Sequence, residues 1–351
     1  MGDITYNEIL SQPYIWKCVI NIADQIETKV NTIKKDCEFD NFYFVGCGTS
    51  YFLSLTGAWV LQKFLKRRAS GLAASDMYFF PEIFCNTKYP STTIFIISRS
   101  GTTTEGIWVA KKLKCQEQLS TCAISCRAKS ELVKQTDHSF VFREADEKSV
   151  VMTRSFTSML LLIKYISGFY SGNKRFIQEL AKLPDLGKTL INNYNDSIKE
   201  FVNSLKISRF VFLGQGPFYG LAAESMLKIK EMSLSNSEAY QTLEYRHGPM
   251  SMAGPDVLIT FLLSEHSILE EKKLLIEMKN LGAKILVICD KADKEIRKYS
   301  DFLVELKSGI SEYARLILYM PITQLLGLYQ AAYKGLDPDN PKNLSQVVQI
   351  N

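Results

Sequence analysis

The stretch Phe210-Val-Phe-Leu-Gly-Gln-Gly-Pro217 joins an apolar run to a turn that contains two glycines. An apolar run that ends in glycines and opens into a helix is typical of a strand–loop–helix ligand site. The helix predicted next, from about Tyr219 to Met232, carries Glu224, Lys228 and Glu231 at positions i, i+4 and i+7, so the three side chains share one face. This stretch therefore predicts an α/β unit with an acid–base face close to an anion site.

A histidine lies in a tight turn that follows this helix. The segment Glu244-Tyr-Arg-His-Gly-Pro249 contains His247, one of three histidines in the chain. Its loop position beside glycine and proline favours a functional role, although a structural histidine in a turn is an alternative. For Glu231 the alternative is a solvated helix residue paired with a neighbouring lysine. Together these residue types indicate proton transfer on a phosphorylated sugar.

Strand and helix patterns alternate on both sides of this stretch. Apolar runs predict strands near residues 42–45, 70–74, 93–97, 120–124, 139–142, 209–213, 257–263, 284–288 and 302–306. Helical patterns occupy residues 51–66, 104–114, 153–170, 219–232, 269–281 and 312–333. The alternation predicts two tandem doubly wound parallel-sheet domains of the three-layer, flavodoxin-like α/β/α class, with ligands at the carboxyl ends of the strands.

The same patterns predict the domain limits. A helical segment over residues 1–37, broken at Pro13, precedes a first domain over 38–175. A helical linker over 176–205 leads to a second domain over 206–335, and the Pro- and Asn-containing residues 336–351 are expected to be irregular.

Composition excludes several functional classes. The chain has 351 residues, 46% of them hydrophobic and 23% charged, and a net charge of +5. No apolar run approaches the ~18–20 residues of a membrane helix, and the N-terminus lacks the pattern of a signal peptide. The eight cysteines are scattered without a metal-ligand spacing. We expect a cytoplasmic protein with reduced thiols that binds neither membranes nor nucleic acid.

A loop rich in hydroxyl groups follows the apolar run at residues 93–97. Five of the seven residues in Ser98-Arg-Ser-Gly-Thr-Thr-Thr104 carry a hydroxyl. Main-chain N–H groups at a helix start and neutral O–H donors suit a phosphate monoester, whereas helix capping without a ligand is the alternative. Thr49 and Ser50 occupy the equivalent place after the first strand. Gly46-Cys-Gly48 does not complete a dinucleotide fingerprint, because Tyr51 occupies its last position, so we expect no nucleotide cofactor.

The chain resembles a known family at these residues. Five motifs carry the resemblance, in order: Gly46-Cys-Gly-Thr-Ser50, Ser98-Arg-Ser-Gly-Thr-Thr103, Leu227-Lys-Ile-Lys-Glu231, Glu244-Tyr-Arg-His-Gly-Pro249 and Pro341-Lys-Asn-Leu-Ser345. They resemble tandem sugar isomerase (SIS) domains: the isomerase half of glutamine–fructose-6-phosphate transaminase, the stand-alone glucosamine-6-phosphate deaminases and the tagatose-6-phosphate ketose/aldose isomerases. The resemblance covers about residues 42–350.

The resemblance implies a role for each matching residue. The phosphate and sugar-hydroxyl contacts match Thr49, Ser50, Ser98, Arg99, Ser100 and Thr103. Glu231 matches the base that moves a proton between C1 and C2, and Lys228 and Glu224 match residues that line the same site. His247 matches the histidine that opens the sugar ring. In the family the neighbouring subunit donates that histidine, so the resemblance implies a homodimer with a site formed by both domains.

The resemblance is incomplete at three points. Arg99 stands where the synthase has glutamine. Gln346, which the resemblance implies to be a substrate contact, stands where the tail over the active site has a substrate-contacting lysine. No glutaminase domain precedes residue 38, so synthesis is expected to need free ammonia or a separate ammonia-donating partner. The family chemistry needs no metal or redox cofactor.

These observations predict an enzyme that isomerises or deaminates a hexose or hexosamine 6-phosphate. The main expectation is conversion of glucosamine 6-phosphate to fructose 6-phosphate and ammonia, or the reverse. An isomerase of the tagatose-6-phosphate type and a sugar–amine deglycase are alternatives within the same chemistry. A non-catalytic sugar-phosphate sensor is the alternative from another class.

Overall fold

The computed structural model describes residues 2–36, 41–85, 91–114, 116 and 118–347 of the chain. The chain divides into two compact units. We call Ser11–Lys182, together with the residues from Ser345 onward, the first-sheet unit. We call the residues up to Leu10, together with Leu183–Leu344, the second-sheet unit. Residues 38–40, where the first domain was predicted to start, and the last four residues of the predicted tail lie outside the described residues.

Helices and strands alternate along most of the described chain. The α-helices are α1 (Asp3–Leu10), α2 (Gln12–Asn21), α3 (Ala23–Asp36), α4 (Thr49–Leu65), α5 (Ala74–Phe79), α6 (Pro81–Phe84), α7 (Thr104–Leu113), α8 (Glu131–Gln135), α9 (Arg154–Ser171), α10 (Lys174–Leu180), α11 (Leu183–Ser204), α12 (Phe218–Ser233), α13 (Ile268–Asn280), α14 (Lys294–Tyr299), α15 (Glu312–Arg315) and α16 (Met320–Tyr333). Short 3-10 helices span Arg143–Ala145, Glu244–Arg246, Pro249–Met252 and Leu316–Tyr319.

Each unit contains one parallel sheet. In the first-sheet unit the strands are β1 (Asn41–Gly46), β2 (Arg68–Ala73), β3 (Thr92–Ile97), β4 (Leu119–Ser125) and β5 (His138–Val141), in the order β2-β1-β3-β4-β5. In the second-sheet unit they are β6 (Arg209–Gly214), β7 (Asn236–Tyr240), β8 (Val257–Leu262), β9 (Lys284–Cys289) and β10 (Phe302–Glu305), in the order β7-β6-β8-β9-β10. The two orders are the same, and the predicted doubly wound fold is confirmed.

The central strands form the core of each unit. All six residues of β3 and all six of β8 are buried. A continuous apolar strand is expected in the middle of a parallel sheet, because helices cover both of its faces. Burial of these side chains fixes the strands in register, with Val45 opposite Ile96 and Leu213 opposite Phe261.

Strand order determines where a ligand can bind. The chain order reverses between β1 and β3 in the first sheet and between β6 and β8 in the second. In open parallel sheets, ligands bind at such a reversal, outside the carboxyl ends of the strands. The segments of interest are therefore those that follow β1 and β3 in one unit and β6 and β8 in the other.

Three elements differ from the sequence-based expectation. The N-terminal segment forms three helices rather than two, and Pro13 lies in the first turn of α2, where its missing N–H is not needed. The predicted helix over 312–333 is interrupted by the 3-10 helix Leu316–Tyr319, and Pro321 lies in the first turn of α16, where its missing N–H is not needed. Strand β7 was not predicted, since Asn236–Tyr240 is a polar edge strand. The described tail after α16 is irregular, as expected.

Candidate active site

The hydroxyl-rich loop, Ser98–Thr104, leaves the carboxyl end of β3. The Ser98 hydroxyl lies 3.0 Å from the Thr103 hydroxyl and accepts a hydrogen bond of 3.0 Å from the N–H of Gly101. Gly101 has φ +62°, and a Cβ at this position would lie 2.1 Å from Ser130 Oγ. Only glycine fits this turn, which leads directly into α7.

The start of α7 provides main-chain donors next to these hydroxyls. Thr103 precedes the helix in an extended conformation and makes no side-chain capping bond. Ser100 Oγ accepts instead from the N–H of Thr102, at 3.2 Å, and from its hydroxyl, at 3.0 Å. A helix start that its own side chain does not cap, surrounded by hydroxyl donors, is chemically suited to a phosphate group.

Thr49 and Ser50 lie in the first turn of α4, at the carboxyl end of β1. Both are nearly buried, with 6% and 5% of their surfaces exposed. A Cβ on Gly46 would lie 2.6 Å from the main chain of Ser50, so glycine allows strand and helix to approach closely. Because β1 pairs with β3 in parallel, this turn and the hydroxyl-rich loop lie at the same edge of the sheet.

The guanidinium group of Arg99 is bound within the first-sheet unit. Its Nη1 lies 3.3 Å from Glu147 Oε2 and 3.3 Å from the carbonyl oxygen of Ser149. Its Nη2 donates to the carbonyl oxygens of Val150, at 3.3 Å, and Gln346, at 3.1 Å. These contacts use the terminal nitrogens of the guanidinium, and Arg99 is only 4% exposed. The predicted contact of Arg99 with phosphate therefore stays a prediction that this geometry does not favour.

Glu147 connects Arg99 to the start of α9. Its Oε1 accepts from the N–H and the hydroxyl of Thr153, at 2.6 and 2.8 Å, and its Oε2 also accepts from the Ser155 hydroxyl. The side-chain amide of Gln346 donates to the carbonyl oxygen of Glu147 at 3.0 Å. Arg99 and Gln346, the two departures from the family motifs, thus both bind to the segment around Glu147.

Helix α12 places the predicted acid–base residues together. Lys228 Nζ lies 3.2 Å from Glu224 Oε1 and also hydrogen-bonds to Glu231 Oε2. The side chains of Lys228 and Glu224 are completely buried, whereas 19% of the Glu231 side chain is exposed. Burial alone would lower the pKa of Lys228, but the two carboxylates outweigh burial and raise it. The ammonium therefore stays charged and orients Glu231, the member of the three that reaches solvent.

His247 is exposed on a turn whose main chain is firmly attached. The N–H of His247 donates to the carbonyl oxygen of Glu244 at 3.0 Å, and the neighbouring Tyr245 is buried in the core. Gly248 follows with φ +125°, a conformation that favours glycine. His247 is thus exposed on a turn that is anchored by this hydrogen bond and by the buried Tyr245.

Family comparison agrees with this geometry. The model of the SIS domain matches residues 38–166 and 205–332, one match in each half of the chain. The chain belongs to the SIS domain family. Its two SIS domains contain the two five-stranded sheets described above.

Curated relatives of these SIS domains are larger proteins. The chain is 28% identical over 320 residues to the glutamine–fructose-6-phosphate aminotransferase (isomerizing) of Francisella tularensis, covering 87% of this chain and 51% of the relative. It is 26% identical over 367 residues to the enzyme of the same name from Clostridium perfringens, covering 99% of this chain and 59% of the relative. The chain therefore spans a little more than half the length of these relatives.

Solved structures of SIS proteins match almost the whole chain. A glucosamine-6-phosphate deaminase from Thermotoga maritima is 28% identical, with a TM-score of 0.74 and coverage of 99% of both chains. A tagatose-6-phosphate ketose/aldose isomerase from Escherichia coli has a TM-score of 0.87 and covers 98% of this chain and 97% of its own. At 19% identity, the second similarity shows the fold alone. The family model thus shows SIS domains in this chain, and these solved relatives are named as a deaminase and an isomerase of sugar phosphates.

Sequence reasoning missed several carboxylates at the strand ends of the SIS domains. These are Glu147 in the first-sheet unit and Glu271 and Glu312 in the second-sheet unit, and all three side chains are buried. Each accepts a main-chain N–H: that of Thr153, Ser264 and Glu265, respectively. Each also has a partner distant in sequence, namely Arg99 for Glu147, Thr242 for Glu271 and Glu265 for Glu312, so spacing carried no signal for these contacts.

Two further properties concern all of the described residues rather than the candidate site. Among the residues that the structure describes, no helix combines the length and hydropathy of a membrane span. Within the same residues, no three His, Cys, Asp or Glu side chains are grouped as metal ligands would be.

Proposed function

We propose that this SIS protein moves a proton between C1 and C2 of a hexosamine or hexose 6-phosphate. The main reaction is conversion of glucosamine 6-phosphate and water to fructose 6-phosphate and ammonia, or its reverse. The observation that carries this proposal is the group of Glu224, Lys228 and Glu231, in which a buried ammonium orients one carboxylate toward solvent. The names of the relatives, aminotransferases and a deaminase of the corresponding sugars, support the same substrate class.

Glu231 is the general base of the proposed reaction. In the open-chain amino sugar it takes the proton from C2, forming an enolamine, and returns a proton to C1. The resulting imine at C2 adds water and releases ammonia, which leaves fructose 6-phosphate. The Lys228 ammonium keeps the carboxylate oriented and offsets its charge, so that Glu231 can accept and return one proton in each cycle.

The hydroxyl-rich loop is the proposed phosphate site. Ser98, Ser100 and Thr103 supply hydroxyl donors, the first turn of α7 supplies N–H donors, and Thr49 and Ser50 lie at the same sheet edge. Neutral donors at a helix start stabilise a phosphate dianion without placing a buried charge beside it. We assign Arg99 and Gln346 to binding of the tail, because their polar groups contact each other and Glu147.

His247 is the proposed acid–base group for opening the sugar ring. Its exposure on an anchored turn supports action across a subunit boundary, and we propose a homodimer in which each subunit provides His247 to its partner. In the synthetic direction, nitrogen would come from free ammonia or from a separate ammonia-donating partner.

Incubation with glucosamine 6-phosphate tests the reaction directly. The expected result is equimolar ammonia and fructose 6-phosphate, with loss of both in Glu231→Gln. The matched control is Glu270→Gln, which makes the same change at an exposed residue of the second-sheet unit. A Glu231→Gln variant that turns over glucosamine 6-phosphate at the wild-type rate would exclude Glu231 as the base.

Three other outcomes would redirect the proposal. Interconversion of aldose and ketose 6-phosphates without ammonia would assign the protein to the tagatose-6-phosphate type of isomerase. Tight binding of sugar phosphates without any turnover would assign it to non-catalytic sensors. Release of amino acids from sugar–amine adducts would instead identify a deglycase.

A further inference from the structure

The turn that carries His247 is attached to α13 at two points. Ahead of the turn, the Thr242 hydroxyl donates to Glu271 Oε1 at 2.7 Å. Within it, Arg246 Nη2 lies 2.9 Å from Glu277 Oε2. The Thr242 contact is completely buried, whereas the Arg246–Glu277 pair is substantially exposed. The buried contact is therefore the stronger attachment, since solvent screens the exposed pair.

Glu271 also binds the loop that follows β8. Its Oε2 accepts from the N–H of Ser264 at 2.9 Å, and the side chain has no exposed surface. One carboxylate thus connects the His247 turn to the strand ends at the point where strand order reverses.

The charged groups that face Glu271 come from the segment around α15. Glu312 accepts from the Ser264 hydroxyl at 3.1 Å and from the N–H of Glu265 at 2.5 Å. Glu312 in turn lies 3.3 Å from His266 Nδ1 and 3.9 Å from Arg315 Nη2. Burial raises the pKa of Glu271 to about 7, against the hydrogen bonds from Thr242 and Ser264, which favour the charged form, and with a further increase from Glu312.

We propose that Glu271 is a positioning residue for the His247 turn, and that its ionised carboxylate attaches the turn more tightly than its protonated form does. The consequence for catalysis rests on the function proposed above for His247, but the attachment itself does not. Hydrogen bonds to an ionised acceptor are roughly twice as strong as those to a neutral one. The Thr242 hydroxyl can reverse and accept from a protonated Glu271, whereas the Ser264 N–H cannot.

The pH dependence of the turn follows from this asymmetry. As pH rises through about 7, Glu271 ionises in the folded unit and both of its hydrogen bonds strengthen. Local opening that breaks the Thr242 contact while Glu271 stays buried then becomes rarer, although global unfolding, which exposes Glu271, becomes easier. As pH falls, the turn becomes looser, and the position of His247 becomes less defined. If His247 opens the ring, ionisation of Glu271 then contributes to the pH dependence of kcat/KM.

Amide hydrogen exchange in the peptide over residues 241–249 tests the attachment without any substrate. Rates are measured from pH 5.5 to 8.5 and corrected for the intrinsic pH dependence of exchange. We expect the wild-type turn to gain on the order of fivefold protection across this range, from the stronger charged hydrogen bonds. In Glu271→Gln this gain disappears. A variant whose protection rises as steeply as that of the wild type would overturn the proposal.

Three further variants separate Glu271 from its neighbours. Thr242→Val leaves the carboxylate in place but removes the attachment, so low protection at all pH values is expected, with folding verified by circular dichroism. Glu277→Gln and His247→Gln should retain the wild-type pH dependence, because neither removes the buried contact. Loss of the pH dependence in His247→Gln would assign the effect to the imidazole and contradict the proposal.

The exchange experiment and the activity test with glucosamine 6-phosphate can fail independently of each other. Absence of turnover with glucosamine 6-phosphate, combined with the expected exchange pattern, would remove the proposed function and leave the positioning role. Turnover combined with pH-independent exchange would support the proposed function and exclude the positioning role of Glu271.

Discussion

The two sheets have the same strand order, yet the loops after their corresponding strands β3 and β8 are built differently. The loop after β3 contains five hydroxyls, and four of them bond to one another in two pairs, Ser98 with Thr103 and Ser100 with Thr102. In the loop after β8, the N–H groups of Ser264 and Glu265 are bound by the carboxylates of Glu271 and Glu312. One sheet is thus chemically open to a phosphate at this point, and the other is filled by carboxylates of the protein. The topology determines where a ligand can bind, but the side chains determine whether the N–H groups at that position are open to a ligand or already bound by the protein.

The preceding loops show a related difference. After β1 and after β6, a glycine allows close approach of the next helix: a Cβ on Gly46 would contact Ser50, and one on Gly214 would contact Phe218. The first of these helices begins with Thr49 and Ser50, whereas the second begins with Phe218 and carries the buried Lys228. The shared backbone therefore supports phosphate binding in one unit and proton transfer in the other, as we propose.

The largest predicted effect concerns the acid–base face of the second-sheet unit. Glu231→Gln should lower kcat for ammonia release by about 10²–10⁴-fold, the usual contribution of a general base, with a much smaller change in KM. Steady-state kinetics of ammonia and fructose 6-phosphate formation give both constants. Glu270→Gln should behave as the wild type, and an equal fall in both variants would show that the change is not specific to the base.

A smaller effect is expected on the stability of the second-sheet unit. It concerns Glu271, whose carboxylate binds the loop after β8. Burial raises the pKa of Glu271 from 4.5 to about 7. Between these values the folded protein keeps a proton that the unfolded chain releases, so stability present at low pH is lost as pH rises through 7. The shift corresponds to about 3 kcal/mol. From pH 5 to pH 8, the wild-type second-sheet unit should lose about that much more stability than Glu271→Gln.

The choice of probe matters for this measurement. All three tryptophans lie in the first-sheet unit, so their fluorescence does not follow the second. Amide exchange in β8 and β9 at increasing urea concentrations does. Glu270→Gln, which changes an exposed neighbour, should lose stability with pH as the wild type does. Parallel curves for all three proteins would mean that Glu271 keeps the same pKa on unfolding.

The two loops themselves can be compared through the residue that precedes each following helix. Thr103 precedes α7 and Ser267 precedes α13. Thr103→Val should raise KM for glucosamine 6-phosphate up to about tenfold, the effect of one lost neutral hydrogen bond, and Thr103→Ser should restore it. Ser267→Ala should leave KM unchanged. If Thr103→Val and Ser267→Ala raised KM equally, the loop after β8 would also bind substrate. The proposed difference between the two sheets would then be wrong.

Much of this organisation could be predicted from sequence, for identifiable reasons. Buried strands such as β3 and β8 are continuous apolar runs, and the helical spacing of Glu224, Lys228 and Glu231 predicts their shared face without tertiary information. Strand β7 gave no such signal, because a polar edge strand pairs only through its backbone with β6. Contacts between distant residues were also inaccessible: Thr242 and Glu271 are 29 positions apart, and Arg99 and Glu147 are 48.

The smallest effect concerns Gln346, whose amide donates to the carbonyl oxygen of Glu147 at 3.0 Å. A lost hydrogen bond of this kind is worth about 1 kcal/mol, so Gln346→Ala should increase the rate of proteolytic release of the tail by roughly fivefold. Leu344→Ala, at an exposed tail residue, is the control and should leave release unchanged. The alternative from sequence, direct substrate contact by Gln346, makes the opposite prediction: KM rises while release of the tail stays at the wild-type rate. Because Arg99 binds the same residue through its carbonyl oxygen, which alanine retains, part of the attachment should survive in Gln346→Ala.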